Sequence, residues 1–289
     1  MRLALITEGT KYAEQIMLGL SLRDIVLDTL ILVHEFRPSF QSRWSLTIRH
    51  LSLGGGIARL LLRKIANTFD KQPPESQIIW QGLCREICDG GVRNSSLMLD
   101  TLRAAQPDFL ILGGVGILSA AALQIPIKGT INVHPGLLPW VRGVGVVARS
   151  LERQVAVGVT AHCVDAGIDT GQIIRRELVS ISNVETLGSA IRKTAKRSVD
   201  VMVDVVSALH EGNGLRVMNQ TLRYPYCKWP SPAEEAAVDK QVQEGLARAL
   251  YVRWREFYGS DRLPFDDSRC PHIAISPLAP SQGESYDTH

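Results

Sequence analysis

Residues 107–135 read PDFLILGGVGILSAAALQIPIKGTINVHP. An apolar run of strand length, FLIL, ends in Gly113 and Gly114. A short helical pattern follows and is stopped by Pro126, and GTINVH is a second run closed by Pro135. Short apolar runs bounded by Gly or Pro mark buried strands, and a helical stretch between two of them makes a strand–helix–strand unit.

The same alternation extends in both directions. Residues 2–7 (RLALIT) and 29–34 (TLILVH) read as strands flanking a helix over Tyr12–Asp24, and 77–80 (QIIW) is a candidate third strand. Residues 95–105 (SSLMLDTLRAA) read as a helix capped by Asn94 or Ser95. Further along, 155–164 and 172–181 are strand-like, and 184–210 is a long helical pattern ending in His-Glu-Gly-Asn-Gly. The expected class is α/β with a largely parallel sheet. Ligands of such sheets bind beyond the carboxyl ends of the strands. No internal repeat is present.

Composition narrows the function classes. Of 289 residues, 45% are hydrophobic and 21% charged, which is enough apolar content for a packed core and excludes global disorder. The balance of 32 Lys and Arg against 29 Asp and Glu leaves a net charge of +3, so a dedicated nucleic-acid binder is not indicated. No apolar run approaches the ~20 residues of a membrane span. The N-terminal apolar stretch is too short for a signal peptide. Both points lead to an expected cytoplasmic location and no integral membrane segment. The odd number of cysteines, five, argues against a disulfide framework. Cys84 and Cys88 are four apart, so a helix would place them on one face. With no His or third Cys nearby they read as ordinary thiols, and no metal site is expected.

Two segments stand apart. Residues 41–69 hold Arg43, Arg49, Arg59, Arg63 and Lys64, no acid, and apolar residues interrupted by Gly54–Gly56. A basic amphipathic element of this kind can touch a membrane surface or a polyphosphate. The preferred reading is an insert whose apolar face packs on the domain, because the glycines break any long helix. The second segment is C-terminal. Residues 1–212 form the expected catalytic domain and 213–270 a helical extension, with 231–258 helical from a Ser231 cap and Pro232 in the first turn. A loose, polar tail is expected over 271–289.

The chemistry concentrates in TINVHPGLLPWVRG (130–143) and GVTAHCVDAGIDTG (158–171). Asn132 and His134 are two apart at a strand end and so share a face. Thr160 and His162 repeat that spacing on the next strand. Asp169 lies in an Ile-Asp-Thr-Gly turn, where its carboxylate can reach back toward an imidazole. An Asn, a His and an Asp without a nucleophilic Ser or Cys suit direct acyl transfer to an amine. Asn and a protonated His donate to the oxyanion, at about 3 kcal/mol per donor, and a His held by an Asp moves the protons.

Asn132-Val-His134, Leu137-Leu138-Pro139, Arg142-Gly143, Thr160-Ala-His162 and Asp169-Thr-Gly171 together resemble the folate-dependent formyltransferase family. That family includes glycinamide ribonucleotide, methionyl-tRNA and sugar-nucleotide N-formyltransferases. The resemblance spans roughly residues 1–210 and is specific over 107–175. It implies a Rossmann-like, mostly parallel sheet and 10-formyltetrahydrofolate as the formyl donor. It also implies Asn132, His134 and Asp169 as the catalytic trio. The folate is then expected on the loop Gly114, Val115, Gly116, Ile117 and Leu118 and on the loop Val164, Asp165, Ala166, Gly167 and Ile168. Thr160, His162, Arg142 and Gly143 are expected to support the site or contact substrate.

The acceptor is narrowed by departures from the family. Thr7-Glu8-Gly9-Thr10-Lys11 is a poor phosphate cradle, which disfavours glycinamide ribonucleotide. The extension reads helical and acidic at Glu234 and Glu235, whereas the methionyl-tRNA enzymes carry a C-terminal β-barrel, so nucleic acid is not the expected partner. The leading expectation is an amino sugar nucleotide or a related small amine, with Lys228, Arg142 and the 41–69 insert available to a diphosphate. The aromatic stretch Tyr224-Pro-Tyr-Cys-Lys-Trp-Pro230 is expected to pack the extension on the main domain, with ligand contact as the second reading. The alternatives are a methionyl-tRNA or glycinamide ribonucleotide enzyme, a formyltetrahydrofolate hydrolase, and a non-catalytic folate binder. A homodimer is compatible with all of them.

Overall fold

The computed structural model describes residues 1–35, 80, 82–181, 186–266 and 271. The 41–69 insert, nearly all of the 77–80 candidate strand and all but the first residue of the 271–289 tail lie outside them. The chain divides into two compact units, Met1–Gly129 and Thr130–His289.

The first unit holds four parallel strands: β1 (Leu3–Thr7), β2 (Leu27–His34), β3 (Cys84–Val92) and β4 (Phe109–Leu112). β1 is central, paired with β2 on one side and β4 on the other, and β3 lies outside β2. Every residue of β1 and β4 is buried, as expected for inner strands of a parallel sheet. Helix α1 (Lys11–Ser21) buries Ala13, Ile16, Met17 and Leu20 and is capped by Thr10. Helix α2 (Ser96–Ala105) is capped by Ser95, one of the two expected residues. Pro126 lies beyond the four-residue helix α3 (Ala120–Leu123).

β3 corrects the sequence reading. Cys84 and Cys88 lie on a strand, not a helix. CREICDGGV is polar because its strand is half exposed, so it lacks the apolar run by which β1, β2 and β4 are recognised.

The second unit holds β5 (Gly129–His134) from Thr130 onward, then β6 (Gly158–Cys163) and β7 (Ile173–Leu178), paired antiparallel in that order. Helix α4 (Val146–Glu152) lies between β5 and β6, and α5 (Leu187–His210) packs on β6. The C-terminal part is helical, but the expected single helix over 231–258 is two. These are α6 (Pro232–Gln243) and α7 (Leu246–Tyr258), separated at Gly245, whose φ of 97° no helix accommodates. Ser231 caps α6 and Glu234 returns the bond to the Ser231 backbone. Trp254 of α7 is fully buried against Trp140, with ring centroids 5.2 Å apart in an edge-to-face pair. Among the described residues no helix is long and apolar enough to cross a membrane.

Candidate active site

The register of β5 and β6 sets Asn132 opposite His162 and His134 opposite Thr160. Directly opposed residues project to the same side of a sheet. One amide, two imidazoles and a hydroxyl are thereby gathered at one strand end.

Hydrogen bonding assigns the tautomer of each ring. His134 Nε2 lies 3.0 Å from the carbonyl oxygen of Val141, and a carbonyl only accepts, so Nε2 carries the proton and donates. His162 Nδ1 donates likewise to the carbonyl oxygen of Cys163, at 2.9 Å. Its Nε2 is therefore the lone-pair nitrogen and accepts from the Asn132 amide at 3.3 Å. Burial lowers the pKa of His162, outweighing the opposing pull of Asp169, and the nearby His134 adds to the lowering. Neutral His162 fixes which way the Asn132 amide faces, using one amide N–H and leaving the second to face elsewhere.

The two remaining ring nitrogens meet one carboxylate oxygen. Asp169 Oδ1 lies 3.5 Å from His134 Nδ1 and 3.8 Å from His162 Nε2. The other oxygen, Oδ2, accepts from the Gly143 amide at 2.8 Å. Asp169 has a φ of 55°, a left-handed conformation that Asp tolerates better than most residues. Its own carbonyl accepts from Gln220 Nε2 at 3.0 Å. Two positions downstream, a Cβ on Gly171 would sit 1.8 Å from the Cys163 carbonyl oxygen. The turn therefore requires glycine there.

Thr160 and Arg142 hold this geometry from behind. The Thr160 hydroxyl donates to the Gly136 carbonyl at 2.7 Å and accepts from the Leu138 amide at 3.0 Å, which pins the loop after His134. Arg142 is buried. Its guanidinium donates to the carbonyls of Tyr224 and Ile168, so it braces the Asp169 loop instead of extending beside the exposed Lys228 toward a diphosphate. Gly143 has a φ of 105°, and a Cβ there would meet the Tyr226 ring at 2.6 Å and the Cys227 carbonyl oxygen at 2.5 Å.

The two expected folate loops are built differently. After β4, the Gly113 carbonyl accepts from the hydroxyls of Thr7 and Thr10. Asn94 clamps the far end of the loop through the Ile117 carbonyl and the Ser119 amide. Glu8 pairs with Arg93 and also accepts from the Gly116 amide at 3.4 Å. Several polar groups around Gly114, Val115, Gly116, Ile117 and Leu118 are thus already engaged, while the Ile117 side chain is exposed. In the second loop, Asp165 turns its carboxylate inward to the Gly167 amide and the Thr170 hydroxyl. Asp165 and Ala166 are exposed, and Val164, Gly167 and Ile168 are half-buried.

Sequence reasoning missed Gly136, Val141, Gln220 and Tyr226. The bonding partners of Asp169 and His134 are largely backbone atoms, which residue types do not reveal. Tyr226 had a visible signal in the aromatic run 224–230. That run pairs Cys227 with Gly143 as an isolated bridge, in line with the packing reading.

Residues 89–206 match the formyl transferase family. The methionyl-tRNA formyltransferase of Legionella pneumophila (strain Corby) is 38% identical over 113 residues, 38% of this chain and 36% of that protein. That of Ralstonia nicotianae is 32% identical over 163 residues, 55% of this chain and 50% of that protein. The chain thus spans between about a third and half of these relatives' length. A sugar N-formyltransferase from a Shewanella species superposes with a TM-score of 0.52 at 15% identity, over 78% of this chain and 76% of that one. That likeness shows a shared fold. The stretch that matches the formyl transferase family, residues 89–206, includes Asn132, His134 and Asp169.

Proposed function

We propose that the chain moves a formyl group from 10-formyltetrahydrofolate to a primary amine, with Asn132, His134 and Asp169 as the reacting machinery. The observation that carries this reading is the convergence of His134 Nδ1 and His162 Nε2 on one carboxylate oxygen, Asp169 Oδ1, with the Asn132 amide bonded to His162 Nε2. The donor supplies the activated one-carbon unit. The free N–H of Asn132 donates to charge developing on the formyl oxygen. His134 takes the amine proton at Nδ1 as the new C–N bond forms, Asp169 stabilises the imidazolium, and that proton is returned to the departing tetrahydrofolate nitrogen as the old C–N bond breaks. Backbone of the loop 164–168 meets the pterin edge, a row of donors and acceptors suited to main-chain pairing.

Different observations support two acceptors. The curated relatives are named for methionyl-tRNA, and this supports an aminoacyl-tRNA amine. The C-terminal part supports a small amine, including an amino sugar nucleotide, because it holds the two helices α6 and α7 and the first turn of α6 is acidic at Glu234 and Glu235. The Shewanella likeness concerns fold and adds nothing for the sugar acceptor. The deciding experiment follows tetrahydrofolate release with methionyl-tRNA, amino sugar nucleotides and glycinamide ribonucleotide offered separately. Release that depends on one acceptor establishes transfer and names the acceptor. Release without any amine means hydrolysis, and no release with the donor bound means a non-catalytic folate binder.

A further inference from the structure

The second unit contains a cavity of about 510 Å³ that shares no residue with the Asn132–His134–Asp169 cluster or with either expected folate loop. It opens along the outer edge of β7. Met218 bridges Ile173 toward one end of that edge, and Arg262 bridges Glu177 toward the other. Between the two bridges the β6–β7 register shifts. Such a shift re-aims side chains, and the consecutive residues Ile174 and Arg175 both line the cavity.

Three arginines line this space, Arg175, Arg216 and Arg262. Arg175 is neutralised by Glu177 and Asp204. Arg216 and Arg262 have no carboxylate partner among the described residues. The Arg216 guanidinium lies over the Phe265 ring, 4.8 Å from its centroid. Stacking of this kind holds the guanidinium plane while leaving its edge N–H groups open to a bidentate oxyanion. Val205, Leu215 and Leu263 add apolar lining. The volume falls in the range of small-molecule sites, about 300–1,000 Å³.

We propose that this cavity binds a small organic phosphate monoester, with the phosphate held by Arg216 and Arg262 and the carbon body against the apolar lining. A dianion matches two uncompensated guanidinium groups, whereas a single carboxylate leaves one unmatched. The site does not depend on formyl transfer, and its test reads binding, not turnover.

The test is calorimetric titration of the full chain at low salt with phenyl phosphate, inorganic phosphate and benzoate. Phenyl phosphate is expected to bind one to one, with inorganic phosphate and benzoate at least about tenfold weaker. Arg216→Ala and Arg262→Ala are each expected to weaken phenyl phosphate by roughly tenfold to a hundredfold, the loss of a charge-assisted contact, while the unfolding midpoint is unchanged. His134→Ala is expected to leave the binding intact, which separates the cavity from the acyl-transfer site. No binding of phenyl phosphate at millimolar concentration, equal binding of inorganic phosphate, or undiminished binding in both arginine variants would overturn the proposal.

Discussion

His134 Nδ1 stands 3.5 Å from Asp169 Oδ1, while the other nitrogen of the same ring is committed to the Val141 carbonyl. The imidazole therefore has a single nitrogen able to exchange a proton, and that nitrogen faces a carboxylate whose second oxygen is anchored by the Gly143 amide. Two backbone groups, the Val141 carbonyl and the Gly143 amide, thus fix the His134–Asp169 pair through which the proposed chemistry would move its proton.

Asp169→Asn follows directly. Its amide oxygen can keep the bond from Gly143, which turns the NH₂ toward His134 Nδ1 and occupies the lone pair that must accept a proton. The turnover number should fall about 10²- to 10⁴-fold, with unfolding stability changed by less than about 1 kcal/mol. Turnover within a factor of three or so of wild type would rule out Asp169 as the partner of the base.

Gly136→Ala tests the ring's anchor. A Cβ at this position would stand 2.9 Å from His134 Nε2 and 3.0 Å from the Val141 carbonyl oxygen. It should push the two apart, rotate the imidazole, and cut activity at least about tenfold, since small misplacements of reacting groups are costly. Crystallography of the variant supplies the check: an unmoved ring with lost activity would contradict this account.

His162 links stability to pH. Burial holds its folded-state pKa below the ordinary value, whereas in the unfolded chain it titrates near its reference of about 6.5. The sign follows from which state binds the proton first. The contribution to stability is complete above about pH 6.5 and is lost as pH falls from there through the lowered folded value. Denaturant unfolding between about pH 7.5 and 5 should show this decline. His162→Gln should flatten it, and parallel profiles for the two proteins would assign the acid sensitivity to other groups.

Trp254→Ala probes the extension. The side chain is fully buried against Trp140, which lies in the loop after His134. Truncation should cost roughly 3–5 kcal/mol of stability and lower activity even where the chain remains folded. A variant as stable as wild type would show that α7 contributes little to this half of the molecule.

The legible parts of the chain were those written in local pattern. Pro135 closing β5 and the two-residue spacing of Asn132 and His134 were enough to place both on one face at a strand end. Gly113 and Gly114 marked the turn after β4, and Ser231 marked the start of α6. β3 was not legible, because an exposed edge strand carries Arg85, Glu86 and Asp89 in place of an apolar run. The break at Gly245 was hidden because one glycine amid helix formers is weak local evidence. At the site, residue types could bring forward Asp169 and His162 but not their bonds. The Cys163 and Val141 carbonyls and the Gly143 amide are main-chain atoms whose positions arise only when separate segments come together.

The Val144 amide donates to the Cys227 carbonyl, the Cys227 amide donates to the Arg142 carbonyl, and Arg153 donates to the carbonyls of Trp140 and Pro225. This fixes an order of events during synthesis. A nascent chain that has left the ribosome only as far as His210 already contains Asn132, His134 and Asp169. It lacks the Cys227 segment that braces the Gly143 loop, the Gln220 that holds the Asp169 carbonyl, and the Trp254 that seals Trp140. The reactive geometry is therefore completed late, after more than forty further residues have emerged. A fragment cut at the end of α5 keeps the motif but loses the means of holding it in place.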